Sequence, residues 1–334
     1  MASVFIGIPT INRPEFVKHA ICSALNQTYS DIEVVVSDNC SEPGVAESIA
    51  NFISEINDKR IRFHQQEKNI GEYGQGRYFF SAAKQSQYFM ILHDDDKLCE
   101  NYLEKAIECL NKSAISAYFV ADAYIIDENG DRTEQVKRKF LKEHGRDCAT
   151  QGEFSVLDKH LDSGFTLISG TLFRTEILKA SGFVDAEGVG NYPFESDIFL
   201  HLGDLGVKAW YQKEELLAFR FHATSMRHYI KLLDNEKTVN AMIRIFSCRQ
   251  YTGRTERQRK AILGRLYRAK ALITVRQGKA NECRKYINKC FKYNILSVKL
   301  WLIAPIAYIA PWMFNWILPK LPISRDAPLL RREN

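Results

Sequence analysis

The chain of 334 residues contains no C-x-x-C pair and no spacing of Cys and His that would suit a zinc site. Its eight cysteines are Cys22, Cys40, Cys99, Cys109, Cys148, Cys248, Cys283 and Cys290. They are scattered, which argues against a disulfide framework and fits a reducing compartment. No internal repeat or low-complexity tract is present, which sets aside repeat architectures. The opening stretch Met1-Ala2-Ser3-Val4-Phe5-Ile6 lacks the basic region and long apolar core of a signal peptide, so a cytoplasmic location is expected.

Charge is what the chain has unevenly. The net charge of +6 combines an acidic body with a basic tail. Residues 1–253 hold 28 Lys/Arg against 36 Asp/Glu, whereas residues 254–300 hold 14 against 2. Such a tail suits anionic lipid, nucleic acid or simple solvation. It carries no recognised nucleic-acid motif, so no nucleic-acid partner is expected. The length suggests two domains, or one large α/β domain with an appendage.

Short apolar runs alternate with helical periods along the first 225 residues. Val4 to Ile8, Ile32 to Val36, Ile61 to His64 and Tyr88 to Leu92 read as strands. Residues 14–26, 45–56 and 76–86 read as helices, the first opened by Pro14. Tyr118 to Ile126, Ile168 to Arg174 and Leu216 to Phe221 read as further strands. Ser196 to Leu205 reads as a helix stopped by Gly206. Residues 131–153 read as a charged, mobile loop and residues 182–194 as Gly-rich irregular chain. This alternation predicts an α/β fold, a mostly parallel sheet covered by helices. Ligands then bind beyond the carboxyl ends of the strands. Those ends carry Thr10-Ile11-Asn12-Arg13, Asp38-Asn39 and His93-Asp94-Asp95-Asp96.

The last of these groups is the most informative. Three consecutive Asp at the end of an apolar strand repel one another when ionised. A divalent cation with an anionic ligand, often a phosphate, relieves that repulsion. His93 reads as a structural neighbour rather than a ligand.

After residue 225 the pattern turns helical and basic. Residues 228–250, 255–277 and 280–292 read as helices, with Ile262, Leu266, Ala269 and Ile273 as one apolar stripe. Leu300 to Leu318 is uncharged but interrupted by Pro305 and Pro311 and rich in Trp. An in-plane or re-entrant membrane element is favoured there over a full span or a core helix. The expected division is 1–225, a catalytic α/β domain; 226–293, a basic helical region; and 294–334, an apolar membrane-associating segment with a basic tail.

At this point several segments resemble family 2 glycosyltransferases of the GT-A fold. They are Val4 to Arg13, Asp31 to Ser41, Asn69-Ile70-Gly71 with Arg77, His93 to Asp96, Glu195-Ser196-Asp197 before Gly206, and Phe219-Arg220-Phe221-His222. The resemblance covers about residues 3–225. Two departures stand out. His93 occupies the place of the first acid of the family's Asp-x-Asp motif, and Ser196 separates two acids that are often adjacent.

The resemblance implies a nucleotide-sugar site. Pro9, Thr10, Asn12, Arg13, Asp38, Asn69 and Arg77 would line the donor pocket, with Asp94 and Asp95 beside them. Asp38 would accept from N3–H of uracil or thymine, and Arg13 would donate to phosphate. Asp96, with Asp94 or Asp95 near, would hold Mn²⁺ or Mg²⁺, and His222 would complete the ligand set. Asp197 or Glu195 would be the general base on the acceptor hydroxyl. On a helix the two lie about 200° apart, so one of them faces the site; Asp197 is preferred.

The expected activity is inverting transfer of a sugar from a nucleotide-sugar, taken to be a UDP-sugar, to a hydroxyl of a glycan or polyprenyl-linked acceptor. The expected setting is cell-surface polysaccharide synthesis of the O-antigen or capsule type. The enzyme would bind peripherally to the inner face of the cell membrane. The alternatives are a metal-dependent nucleotidyltransferase and a non-catalytic binding module. The first lacks the Gly-rich basic loop it would need after the opening strand, where the chain reads Pro9-Thr10-Ile11-Asn12-Arg13-Pro14. Sugar identity, linkage and oligomeric state stay open, an oligomer being compatible.

Overall fold

A computed structural model describes residues 3–83, 85–183, 192–221, 235–277 and 279–293, with 301, 304, 305 and 308. The chain divides into two compact units: residues 1–160 with 165–222, and residues 161–164 with 223–334.

The first unit is the expected α/β architecture. Its strands and helices are β1 (Val4–Thr10), α1 (Pro14–Leu25), β2 (Ile32–Asp38), α2 (Pro43–Ile56), β3 (Ile61–Gln65), α3 (Gly71–Ala82) and β4 (Tyr88–Ile91). There follow β5 (Lys97–Leu98), α4 (Tyr102–Lys112), β6 (Ser116–Ile126), α5 (Glu134–Glu143), β7 (Gly152–Ser155) and α6 (Val156–Ser163). The unit closes with β8 (Leu172–Arg174), α7 (Thr175–Ala180), α8 (Tyr192–Asp204) and β9 (Lys208–Arg220). Among the described residues the sheet runs β3-β2-β1-β4-β8-β6-β9-β5, with β7 on β9. The β3-β2-β1-β4 half is parallel throughout, and β8 enters antiparallel beside β4. Strands buried on both faces read as continuous apolar runs, which is why Val4, Phe5, Ile6 and Ile8 are all fully buried.

The packing of α3 sets the geometry of the site. A Cβ on Gly7 would lie 2.4 Å from Phe79, and one on Gly76 2.9 Å from Phe183. Glycine at these two places lets α3 lie close on β1 and on Phe183. The first turn of α3, with Glu72, therefore stands at the carboxyl ends of the strands.

Several sequence expectations need correction. Residues 131–153 are not a loop. They form α5 and β7, because Val136, Phe140 and Leu141 give a short apolar face inside a charged segment, and Phe140 is buried. The helix expected over 76–86 is α3 and starts at Gly71. The strand expected from Ile168 is regular only over Leu172–Arg174, after a turn in which Thr171 N donates to Ile168 O at 3.2 Å. Part of 182–194 is helical, since α8 starts at Tyr192, while residues 184–191 lie outside the described residues. Residues 97–117 had no assignment and supply β5, α4 and the start of β6.

The second unit is helical: α9 (Glu236–Ser247), α10 (Gly253–Arg276) and α11 (Ala280–Tyr293). Asn235 caps α9, its Oδ1 accepting from Lys237 N at 3.0 Å and Thr238 N at 3.4 Å. The stripe Ile262, Leu266, Ala269 and Ile273 is buried, as are Cys283, Ile287 and Cys290 of α11. Arg254, Arg257, Lys260, Lys279, Lys285 and Lys292 are exposed. Most of Leu300 to Leu318 lies outside the described residues; Trp301 and Tyr308 within it are exposed. Among the described residues no helix is long and apolar enough to cross a membrane.

Candidate active site

Strand register brings the site together. In the parallel pairing Thr10 stands opposite Asp38, and Gly7 opposite Ile91. Three residues beyond the latter pair, Thr10 and Asp94 stand at one level. Thr10 Oγ1 donates to Asp94 Oδ2 at 2.8 Å. The carboxyl ends of β2, β1 and β4 thus present Asp38, Thr10 and Asp94 in a row. Leu92 N bonds Gly7 O at 3.0 Å, and the chain then turns, Asp96 N donating to His93 O at 3.1 Å. That turn packs three acids at the strand end.

Each acid has distinct surroundings. Arg13 Nη1 reaches Asp94 Oδ1 at 3.3 Å and Asp95 Oδ2 at 3.2 Å. Asp96 is 1% exposed. It accepts from Ser169 Oγ at 2.5 Å and from Arg220 N at 3.1 Å. Arg220 also holds the turn from outside, donating to Asp95 O, Asp127 O and Glu128 O. Burial, then the charge of Asp95, raises Asp94 to about 6 and Asp96 to about 7. Arg13 and Thr10 oppose the rise at Asp94, while His93 and the two donors oppose it at Asp96.

His93 links this cluster to the helices. Ligand atoms of His93, Asp95 and Asp96 lie within 4.8 Å of one another, and so do those of Glu72, His93 and Glu195. Burial pulls the His93 imidazole down, but Glu72, Asp96, Asp95 and Glu195 outweigh it and raise it. Glu195 is pushed up to about 8 by burial and then by Glu72. Glu72 and His93 thus join the candidate site, where sequence reasoning missed the first and set aside the second. The one sequence signal for Glu72 was its place directly after Asn69-Ile70-Gly71.

The other predicted residues fall around this centre. Asp38 is fully buried and accepts from Ser41 Oγ and, at 2.9 Å, from Ser41 N. That is an Asx turn closing β2. Asn12, at φ 53°, donates from its backbone to Ser41 Oγ at 2.7 Å, and its side chain accepts from Glu42 N at 2.9 Å. Asn69 Oδ1 accepts from Asn39 Nδ2 at 3.0 Å and from Gly71 N at 2.9 Å, tying the start of α3 to the end of β2. Pro9 is half-buried beside Thr10. Arg77 is exposed and donates to Tyr73 OH at 3.1 Å, one turn earlier on α3. Asp197 is 2% exposed and pairs with His201 at 3.3 Å, one turn further along α8. It is in neither three-residue group, whereas Glu195 is in one. His222 lies outside the described residues.

Residues 5–162 match the profile of Glycosyl transferase family 2. The chain thus carries a glycosyltransferase family 2 domain over just under half of its length. An uncharacterized glycosyltransferase of Rickettsia conorii is 32% identical over 136 residues, which are 40% of this chain and 22% of that protein. A GalNAc(5)-diNAcBac-PP-undecaprenol beta-1,3-glucosyltransferase of Campylobacter jejuni is 28% identical over 144 residues, 42% of this chain and 44% of that one. The aligned stretches thus span less than half of either relative. The crystal structure of S. aureus TarS 1-349 superposes at a TM-score of 0.63 and 15% identity, covering 94% of this chain and 88% of TarS. The family 2 domain therefore has the GT-A fold.

Enzymes of this fold usually use a divalent cation. His93, Asp95 and Asp96 offer one imidazole nitrogen and carboxylate oxygens at close range. Asp94 and Asp96 are raised by burial and then by the charge of Asp95. Such hard, oxygen-rich donors fit Mg²⁺ or Mn²⁺.

Proposed function

We propose that this family 2 enzyme transfers a sugar from a nucleotide-sugar to an acceptor hydroxyl with inversion at the anomeric carbon. The observation that carries this reading is the meeting of Arg13, Asp94, Asp95, Asp96 and, through His93, Glu195 at the carboxyl ends of neighbouring strands. Transfer needs a neutralised leaving diphosphate at one end and a base at the other. The acid turn serves the first need and Glu195 the second.

Asp96, Asp95 and His93 would hold Mn²⁺ or Mg²⁺, with His222 as a further candidate ligand. A bound cation supplies charge stabilisation to the departing diphosphate. Arg13 donates to phosphate, its guanidinium already directed at the acid turn. Thr10 fixes Asp94. Pro9, Asn12, Asp38 and Asn69 shape the nucleoside end, Asp38 offering its remaining lone pairs to a pyrimidine N3–H. Arg77 stands further out on α3. Glu195 is the preferred base over Asp197, because it sits with Glu72 and His93 while Asp197 is buried against His201. A base with a value near neutrality is well matched to taking a hydroxyl proton. A single base opposite the leaving group implies one direct displacement, hence inversion.

The donor is proposed to be a UDP-sugar. TarS, of the same fold, was crystallised in complex with UDP-GlcNAc. The acceptor is proposed to be a polyprenyl-linked glycan of cell-surface polysaccharide, in line with the undecaprenol-linked substrate named for the Campylobacter relative. The exposed Lys and Arg of α10 and α11 would hold the enzyme peripherally on the anionic inner face of the membrane. A panel of nucleotide-sugars tests the reading. Release of nucleoside diphosphate with a product of inverted anomeric configuration is expected. Release of pyrophosphate would favour nucleotidyl transfer, and retained configuration would contradict direct displacement.

A further inference from the structure

We propose that Ser169 is the positioning residue that orients the Asp96 carboxylate toward the cation, an inference that rests on the cation reading above. The hydroxyl of Ser169 touches two parts of the acid turn at once. It donates to Asp96 Oδ2 at 2.5 Å and accepts from His93 N at 3.1 Å. The backbone N–H can only donate, so the hydroxyl proton is left for Asp96. At that distance the bond lies in the range of short, charge-assisted O–H···O⁻ contacts. Arg220 N holds the other oxygen of Asp96 at 3.1 Å. One donor on each oxygen fixes the carboxylate plane and leaves lone pairs on both atoms for a cation.

Ser169 is itself held firmly. It forms an isolated parallel bridge with Ile91, the last residue of β4. Gly170 N donates to Ile91 O at 2.9 Å, and Tyr102 OH donates to Gly170 O. Gly170 has φ 71°, and a Cβ there would lie 2.9 Å from Leu217, so no other residue fits without strain. The turn therefore presents the hydroxyl from a fixed backbone to one end of the acid cluster. Outer hydrogen-bond partners of this kind tune affinity at metal sites in general.

The test is Mn²⁺ binding, measured by electron paramagnetic resonance without nucleotide-sugar, beside the melting temperature in EDTA. Ser169→Ala is expected to weaken Mn²⁺ binding at least about tenfold while staying folded in EDTA. Ser169→Thr keeps the hydroxyl that donates to Asp96. It should keep wild-type affinity. Should Ser169→Ala fail to fold, Ser169→Cys carries the same test, since a thiol has similar shape but donates weakly; its affinity should also fall. Wild-type affinity in folded Ser169→Ala or Ser169→Cys would overturn the role of Ser169 alone. Failure of the wild-type protein to bind Mn²⁺ would overturn the cation reading and this inference with it.

Discussion

The two units handle buried charge in opposite ways. In the helical unit, Arg259 is buried on α10 but meets Glu256 at 2.7 Å and also donates to Phe246 O. Its partner Glu256 is held down to about 2, chiefly by that bond. Lys270, 3% exposed, pairs with Glu236. In the α/β unit, Asp94, Asp96 and Glu195 are all raised, by burial first and then by a neighbouring carboxyl, and the Arg13 ion pair to Asp94 only partly opposes this. Paired buried charge organises a fold; buried charge left partly unbalanced marks a place where a ligand completes the balance. On the proposed reading the acid turn carries the chemistry and the α10 pairs serve as scaffolding.

The largest effect should come from the unbalanced side. Glu195→Gln is expected to lower turnover by about 10²–10⁴-fold, the range of a general base, without lowering the melting temperature. Asp197→Asn, if Glu195 is the base, should cost far less turnover and more stability, since Asp197 is buried against His201. Rates and melting curves of the pair, measured together, would reverse the assignment if the losses were exchanged.

On the balanced side the loss should appear in stability. Arg259→Ala leaves Glu256 without its main partner and is expected to cost about 3–5 kcal/mol, read by denaturant unfolding. A loss under about 1 kcal/mol, the value of a surface pair, would erase the contrast.

A smaller effect concerns pH. Asp94, Asp96 and Glu195 are raised to about 6, 7 and 8 in the folded protein. Their contribution is full below the ordinary carboxyl range near about 4 and is lost as pH rises through the raised values. The metal-free melting temperature should therefore fall between about pH 5 and pH 8, and added Mn²⁺ should restore more of it at pH 8 than at pH 6. A flat metal-free profile would count against the unbalanced charge. The smallest effect should be that of Arg77→Ala, whose side chain is exposed on Tyr73: stability should change by no more than about 0.5 kcal/mol.

The same contrast explains what could be read from sequence. β1, β2 and β4 were legible because strands buried on both faces give unbroken apolar runs closed by polar residues. α5 was hidden because its charged residues outnumber a three-residue apolar face. α3 was shifted because Gly71, Gly74 and Gly76 break the usual helical signal, although close packing on Phe183 is what requires Gly76. In the site, the acid turn and Arg13 were legible because they follow strands directly. Ser169 was not, because it lies 73 residues from Asp96 and is brought there only by the sheet. Nor was the union of Glu72 with Glu195, which the packing of α3 and α8 creates.

The most direct test of the central claim is the rate of nucleoside-diphosphate release from the active donor, in Mn²⁺ and in EDTA, with Asp96→Asn alongside. The account predicts that EDTA abolishes release, that added Mn²⁺ restores it, and that Asp96→Asn is inactive in both. An undiminished rate in EDTA, or full activity in Asp96→Asn, would contradict the role given to the acid turn.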